Sequence, residues 1–303
     1  MGTVASVIES ARYDLIDYEK GIEFDDRVLF LYVNRLIDIM DSALASLHSD
    51  YIHGVEEDID TVADQNYVDL TYMNNGQWDS IRNVWIGQDR KYKRDLDNIM
   101  YKRKFRDSSA EPNYWTTRGK QLLFECDADD AHTDLVIEYN KKHRDRLQSW
   151  SDTFTASATT DALTLTSGTP TFVTGDGPFT VSNSGGSLPA GLAASTNYWL
   201  VFQPDDPDGI QLATSKVNAI ESSVIDITNT GSGTHTITLG SDMMPYDGAF
   251  DNMILEMVVM HARSKAYGKI GQPDALYQEV FRKRAMEETI RRKFVQRYYR
   301  LDY

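Results

Sequence analysis

The chain has 303 residues and a formal net charge of −15 at neutral pH, a balance that argues against a dedicated nucleic-acid binder, which needs a basic stripe to displace counterions from phosphate. Hydrophobic residues make up 41% and charged residues 25%, an ordinary globular composition that excludes wholesale disorder. No window reaches the ~18 consecutive apolar residues that span a bilayer, and the opening MGTVASVIESARYDLID lacks the basic-then-apolar pattern of a secretory signal.

In chain order, the first 150 residues are mixed, charged and rich in Tyr and Arg. Val4, Ile8, Ala11 and Leu15 recur at helical spacing. Leu29, Val33, Leu36, Met40, Ala43 and Leu47 mark one face of a second helix, with Asp38 and Asp41 off that face and Asp25 or Asp26 as its cap. Short strands follow. Asn66 to Leu70 alternates. Ser80 to Gly87 also alternates, which predicts Ile81, Asn83 and Trp85 on one side and Arg82, Val84 and Ile86 on the other. Asn74-Asn75-Gly76 between them is a turn, because Asn and Gly tolerate positive φ. A short helix from Arg94 to Tyr101 precedes three more strands, Asn113 to Thr117, Lys120 to Glu125 and Asp134 to Tyr139. Arg118-Gly119 and Asp127 to Asp130 are the turns joining these three.

Residues 151–240 change texture. They are rich in Thr, Ser, Gly and Asn, and Lys216 is their only Lys or Arg. Ala162 to Thr166, Phe179 to Val181, Tyr198 to Phe202, Ile210 to Leu212, Val224 to Ile227 and His235 to Leu239 are short β-branched or alternating runs, most of them divided by turn residues. That rhythm predicts a sandwich-like all-β domain. Residues 241–303 return to helix. Ala249 to Tyr267 carries Phe250, Met253, Ile254, Met257, Val258 and His261 on an apolar face, with Gly268 placed to stop it. Pro273-Asp274 opens a last helix carrying Leu276, Val280, Ile290 and Phe294. The expected fold is therefore α+β. A helical-bundle scaffold with a small antiparallel sheet is formed by 1–150 with 241–303, and an inserted all-β domain occupies 151–240.

No catalytic constellation emerges, and the chain is expected not to be an enzyme and to need no cofactor. P-loop, nucleophile-elbow and zinc-protease patterns are absent. His48, His53, His132, His143, His235 and His261 lack metal-ligand spacing. His261, among methionines, reads as a satisfied core residue. Cys126 is the single cysteine, which rules out an intrachain disulfide and suits a reducing cytosol; it reads as a small buried hydrophobe. Asp127, Asp129 and Asp130, and also Asp205, Asp206 and Asp208, could supply hard oxygen ligands. Neither set completes a calcium loop, and turn chemistry accounts for both. Glu56-Glu57-Asp58 and Glu287-Glu288 are adjacent acids, not the spaced pair of a glycosidase.

The sharpest charge anomaly is the C-terminal stretch, where Arg282, Lys283, Arg284, Arg291, Arg292, Lys293, Arg297 and Arg300 alternate with Phe294, Tyr298, Tyr299 and Tyr303. A solvated helix face is one reading. The other is a docking tail of Arg291, Arg292, Lys293, Phe294, Arg297, Tyr298, Tyr299, Arg300 and Tyr303 that enters an acidic groove of a protein partner, since Arg and Tyr are favoured interface anchors.

An ordered set of segments resembles the head-to-tail adaptor (connector) family of tailed bacteriophages. The set runs Asp64 to Leu70, Ser80 to Gly87, Glu111 to Trp115, Arg118 to Leu122 and Asp134 to Lys142, between leading and trailing helices. The family pattern has Leu-Pro after the first of these; here Leu70 is followed by Thr71. The resemblance covers 1–145 and 241–303. It implies a structural virion protein that forms a dodecameric ring beneath the portal protein, seals the channel through which DNA passes and offers a platform to tail or nozzle proteins. The C-terminal segment would reach into the neighbouring ring. Synthesis in the host cytoplasm and residence at the head-tail connector, with no membrane partner, follow from the same resemblance. The alternative is a tail-associated carbohydrate-binding or host-recognition protein that uses the β domain, with Tyr198, Trp199 and Phe202 as a stacking platform. A tail hydrolase is a third reading.

Overall fold

Two amphipathic helices open the chain, α1 (Val4–Leu15) and α2 (Asp26–Ser46). Asp25 caps α2, its carboxylate accepting from the Arg27 N–H at 2.9 Å. The computed structural model describes residues 2–15, 24–57, 59–103, 110–168, 172–202, 209–266, 279–280, 282–284, 286–288 and 290. The chain divides into one unit of residues 48–142 and another of residues 1–47 with 143–303.

The first of these is a seven-stranded sheet. Its strands are β1 (His53–Glu56), β2 (Tyr67–Asp69), β3 (Trp78–Ile86), β4 (Asp89–Lys93), β5 (Tyr114–Arg118), β6 (Gln121–Phe124) and β7 (Leu135–Lys141), in spatial order β1-β7-β3-β4-β5-β6-β2. All pairs are antiparallel except β4 with β5. The helix α3 (Leu96–Arg103) makes the crossover between those two, as a parallel pair requires. Asn74, Asn75 and Gly76 turn the chain with positive φ of 46°, 49° and 72°. The register of β3 against β7 shifts twice, between Trp78 and Ser80 and between Ile81 and Asn83. This corrects the strict alternation expected of β3. The extra residue rotates the strand, so Ile81, Val84 and Ile86 all reach the core while Trp85 faces away.

The second unit contains a six-stranded sheet of β8 (Trp150–Ala156), β9 (Leu163–Leu165), β10 (Phe179–Ser184), β11 (Trp199–Phe202), β12 (Gly209–Ala213) and β13 (Thr234–Leu239). Its order is β10-β13-β8-β9-β12-β11, with every pair antiparallel. The hydrogen bonding then returns on itself. Phe179 and Tyr198 exchange N–H···O bonds of 2.7 and 2.8 Å, the Leu200 N–H donates to the Asp176 carbonyl at 2.9 Å, and the Gly175 N–H donates to the Leu200 carbonyl at 2.8 Å. The residues leading into β10 thereby close the sheet against β11, which removes the open edges of a flat sheet. The path β9-β12-β11-β10 is a Greek key. Phe154, Leu163, Leu165, Phe179, Val181, Leu200, Ile210, Leu212, Ile237 and Leu239 fill the interior. Trp150, Phe172 and Phe179 add edge-to-face ring contacts, with Phe172 5.0 Å from Trp150 and 5.1 Å from Phe179. The short helix α4 (Lys216–Ile220) packs outside β11 and β12, burying Ala219.

The same unit continues into α5 (Asp251–Ala266), which packs with α1 and α2; Phe250, just before it, and Met253, Ile254, Met257, Val258 and Ala262 on it are buried. His261 is buried among them and stacks on Tyr32 at 5.5 Å. The start of the chain is stitched to the segment after β13, where the Val4 N–H donates to the Asp242 carbonyl at 2.9 Å and the Met244 N–H to the Gly2 carbonyl at 2.8 Å.

The expected fold class is overturned. Sheets of seven and six strands dominate, where a helical-bundle scaffold with a small antiparallel sheet was expected, and the helices among the described residues are few and mostly short. The 151–240 segment is not two facing sheets either; its strands form one sheet that closes on itself. The other runs were legible as strands, but Val224 to Ile227 forms none, and sheet size and closure depend on pairing between residues far apart, which periodicity does not encode. The helix expected at Arg94 to Tyr101 lies at Leu96–Arg103.

Candidate functional site

The helical part of the second unit and its closed sheet meet at a buried ion cluster. The backbone leaves β7 and runs through His143 to Leu147 before entering β8, and this connector carries two buried arginines. Arg144 forms a bidentate pair with Asp242, with Nη1···Oδ2 2.8 Å and Nη2···Oδ1 2.7 Å, and donates from Nε to Asp176 Oδ2 at 2.9 Å. Its guanidinium also lies 4.5 Å from the centre of the Phe172 ring. Arg146 reaches the other oxygen of Asp176 at 3.3 Å. Its backbone and the Asn34 amide of α2 bind each other twice, at 2.8 and 3.3 Å. Asp242 also accepts from the Leu147 N–H at 2.5 Å, and Asp176 accepts from the Val173 N–H at 3.0 Å.

Two arginines and two aspartates balance in charge, all four buried. Burial opposes the charge on Arg144, but Asp176 and Asp242 outweigh it and hold the guanidinium above its usual range. Burial likewise opposes ionisation of Asp176, yet Arg144 and Arg146 hold its carboxyl below the usual carboxylate range. The Nε of Arg146 has no hydrogen-bond partner among the described residues.

Next to the cluster, Asp41 of α2 collects three donors. The His143 N–H donates at 2.7 Å, His143 Nδ1 lies 2.8 Å away, and the Tyr246 hydroxyl donates at 2.7 Å. Tyr246 packs edge-on against His143 at 4.8 Å and holds a positive φ of 63°. Burial, and then the nearby Asp41 charge, pushes its hydroxyl well above the ordinary tyrosine range. Together these groups tie α2, the 143–147 connector, the closing seam of the sheet and the 242–246 segment into one network. The network presents no nucleophile beside a base. Its chemistry is that of a clamp, holding paired charges out of water, where losing one partner is far costlier than at the surface.

The residues singled out from sequence fare differently. The docking-tail residues Arg291, Arg292, Lys293, Phe294, Arg297, Tyr298, Tyr299, Arg300 and Tyr303 lie outside the described residues, as do Asp205, Asp206 and Asp208. Where the terminal stretch is described, an open cleft of about 220 Å³ is lined by Phe250 and Met253 at the start of α5 and by Arg284, Glu287 and Glu288. Among the described residues no group of three or more His, Cys, Asp or Glu could hold a metal, and no helix is long and apolar enough to cross a membrane. Cys126 is buried, with its thiol 3.4 Å from the Ala110 carbonyl. Of the stacking-platform candidates, Tyr198 and Phe202 are buried in the sheet interior and Trp199 is half-buried against α4.

Sequence reasoning missed Arg144, Arg146, Asp176 and Asp242, as well as Asn34 and Asp41, which was expected off the apolar face of α2. It also missed Glu125, fully buried, whose carboxylate accepts from the Asn113 and Tyr114 N–H groups at 3.0 and 2.8 Å. The one available signal was an Arg-x-Arg connector in which both arginines precede an almost base-free segment. No family model matches the chain, and no curated protein matches it.

Proposed function

We propose that the chain is a structural protein of a tailed-phage virion, a head-to-tail adaptor that rings the portal, closes the DNA channel and carries the tail, with no enzymatic role. The observation that carries this reading is that the five segments of the adaptor-like series belong to one sheet. Tyr67 to Asp69, Ser80 to Ile86, Tyr114 and Trp115, Gln121 and Leu122, and Leu135 to Lys141 lie on β2, β3, β5, β6 and β7. The series is thus one folded unit and not a scatter of similar words. The ion clamp supports a mechanical role, since a part that transmits load between rings needs a fixed geometry. The acidic balance of the chain suits a conduit that must release its DNA. In this reading the basic aromatic terminal stretch docks on portal carboxylates through charge-assisted contacts.

The test is the mass of the full chain in solution, alone and beside portal rings. A monomer that becomes a stoichiometric ring on the portal is the expected result. A stable trimer indifferent to portal would refute the reading. Exchanging Arg291, Arg292, Arg297 and Arg300 for Glu should abolish attachment.

A further inference from the structure

The face of the seven-stranded sheet turned away from its core carries an ordered row of interface-type residues. Lys91 points to the core side, opposite Val84, and pairs with Glu111. Alternation turns Arg90, Tyr92 and Arg94 the other way, and all three are exposed, Tyr92 by 63%. They are nevertheless held in place. The Tyr92 ring lies 6.3 Å from that of Tyr114, the Arg94 guanidinium stacks 4.9 Å from the centre of the same ring, and Arg90 donates to Asn83. Tyr and Arg carry much of the binding energy at protein interfaces, and fixing their rotamers in advance lowers the entropy lost on contact. The neighbouring acids Asp95 and Asp97 lie at the start of α3, where the helix dipole favours them.

The same unit also carries the chemical complement. The loops 57–65, of which Asp58 is outside the described residues, and 127–134 expose Glu57, Asp60, Asp64, Asp129, Asp130 and Asp134, and His132 is the sole basic residue in either loop. The loops are braced against each other. The Asp64 N–H donates to the Ala128 carbonyl at 2.9 Å, the Thr61 N–H to the His132 carbonyl at 3.2 Å, and the His132 N–H to the Thr61 hydroxyl at 2.7 Å. The acids therefore stand on a fixed backbone.

We infer that the Arg90–Tyr92–Arg94 face docks onto the 57–65 and 127–134 acidic loop pair of a second copy of this chain. The two surfaces are different patches, so the contact is heterologous and passes from copy to copy, as a ring requires. The inference deepens the ring reading above and rests on it. Nucleic acid is the competing occupant of a basic aromatic face, and the net charge of −15 favours the protein partner.

The experiment uses the full chain with portal rings as template, and ring formation is read by sedimentation velocity. Arg90→Glu with Arg94→Glu forms one variant, and Asp60→Lys with Asp129→Lys the other. Each alone should lower ring yield by about tenfold or more. An equimolar mixture should recover it, because alternating copies then meet only opposite charges. With wild-type folding verified by circular dichroism, undiminished rings from the first variant, or a mixture that fails to recover, overturn the assignment of these surfaces. Duplex DNA binding by the wild type that the first variant loses, with ring yield unchanged, overturns it in favour of nucleic acid. Wild-type chains that never ring on the portal remove the adaptor reading itself, and this inference with it.

Discussion

Replacing Asp242 by Asn tests whether the ion cluster holds the second unit together. The carboxylate is 1% exposed and receives three hydrogen bonds, two from Arg144 at 2.8 and 2.7 Å and one from the Leu147 N–H at 2.5 Å. Asn keeps the shape but removes the charge, and its NH₂ group faces a donor wherever it is turned. Arg144 and Arg146 are then left with Asp176 alone, which strands one positive charge in a site closed to water. Breaking a buried pair in this way costs about 3–5 kcal/mol. At ~2–4 °C per kcal/mol for a body of this size, the melting temperature should fall by roughly 6–20 °C. Thermal unfolding of the full chain followed by far-UV circular dichroism, with urea unfolding as a second measure, gives the number. A loss below about 1 kcal/mol would mean that the cluster is screened like a surface pair, and the clamp argument would fail.

Three further outcomes concern Asp176, Tyr246 and, in the other unit, Gly54. Asp176 is held below the usual carboxylate range mainly by Arg144 and Arg146 against the opposing effect of burial; its contribution is complete above the unfolded carboxylate pKa of ~3.9 and is lost as pH falls toward the depressed folded value, so Asp176→Asn should flatten the acid limb of a stability–pH curve. Tyr246→Phe removes the one hydroxyl donor, which bonds Asp41 at 2.7 Å and has the Ile37 carbonyl at 3.2 Å as its alternative acceptor, and should cost about 1–3 kcal/mol at neutral pH. Because burial and Asp41 raise the Tyr246 pKa, its hydroxyl stabilises the fold below the ordinary tyrosine pKa of ~10 and that stability is lost as pH rises, so the variant should also be less alkali-sensitive. In the seven-stranded sheet, a Cβ on Gly54 would lie 2.4 Å from the Tyr139 ring, so Gly54→Ala should destabilise by about 1–3 kcal/mol; an unchanged urea midpoint would show that the ring moves aside without cost.

What the sequence disclosed was local. The faces of α2 and α5, the Asn74 to Gly76 turn and the β5–β6 hairpin at Gly119 each depend on neighbours within a few residues, and periodicity or a positive-φ residue announces them. Pairing was invisible. Nothing near Phe179 says that it bonds Tyr198 and closes a sheet, and nothing near Ile81 announces the bulge that turns Val84 inward. The ion cluster was hidden for the same reason. Arg144, Asp176 and Asp242 come from a connector, a loop and the residues after a strand, and each alone resembles an ordinary surface charge. Asp41 shows the limit from the other side, since a helical wheel predicts exposure for a carboxylate that tertiary partners have made worth burying.

Charge balance predicts more than single substitutions do, and it separates the two arginines. Arg144 binds both aspartates through three short hydrogen bonds, whereas Arg146 reaches only Asp176, at 3.3 Å, and leaves its Nε without a partner. Asp176→Asn alone strands a positive charge, and Arg146→Met alone strands a negative one. Together they leave the bidentate Arg144–Asp242 pair neutral and intact. The double variant should therefore be more stable than Asp176→Asn, with a coupling energy of about 1–3 kcal/mol between the two positions. The opposite combination, Arg144→Met with Asp176→Asn, is equally neutral in charge but strips Asp242 of its fork and leaves only Arg146, whose guanidinium bonds Asp176, to answer it; it should recover little. Equal recovery by both combinations would show that net charge alone governs the cluster. Strictly additive losses in both would show that its members act independently, and that the sheet and helices are joined by apolar packing and not by the clamp.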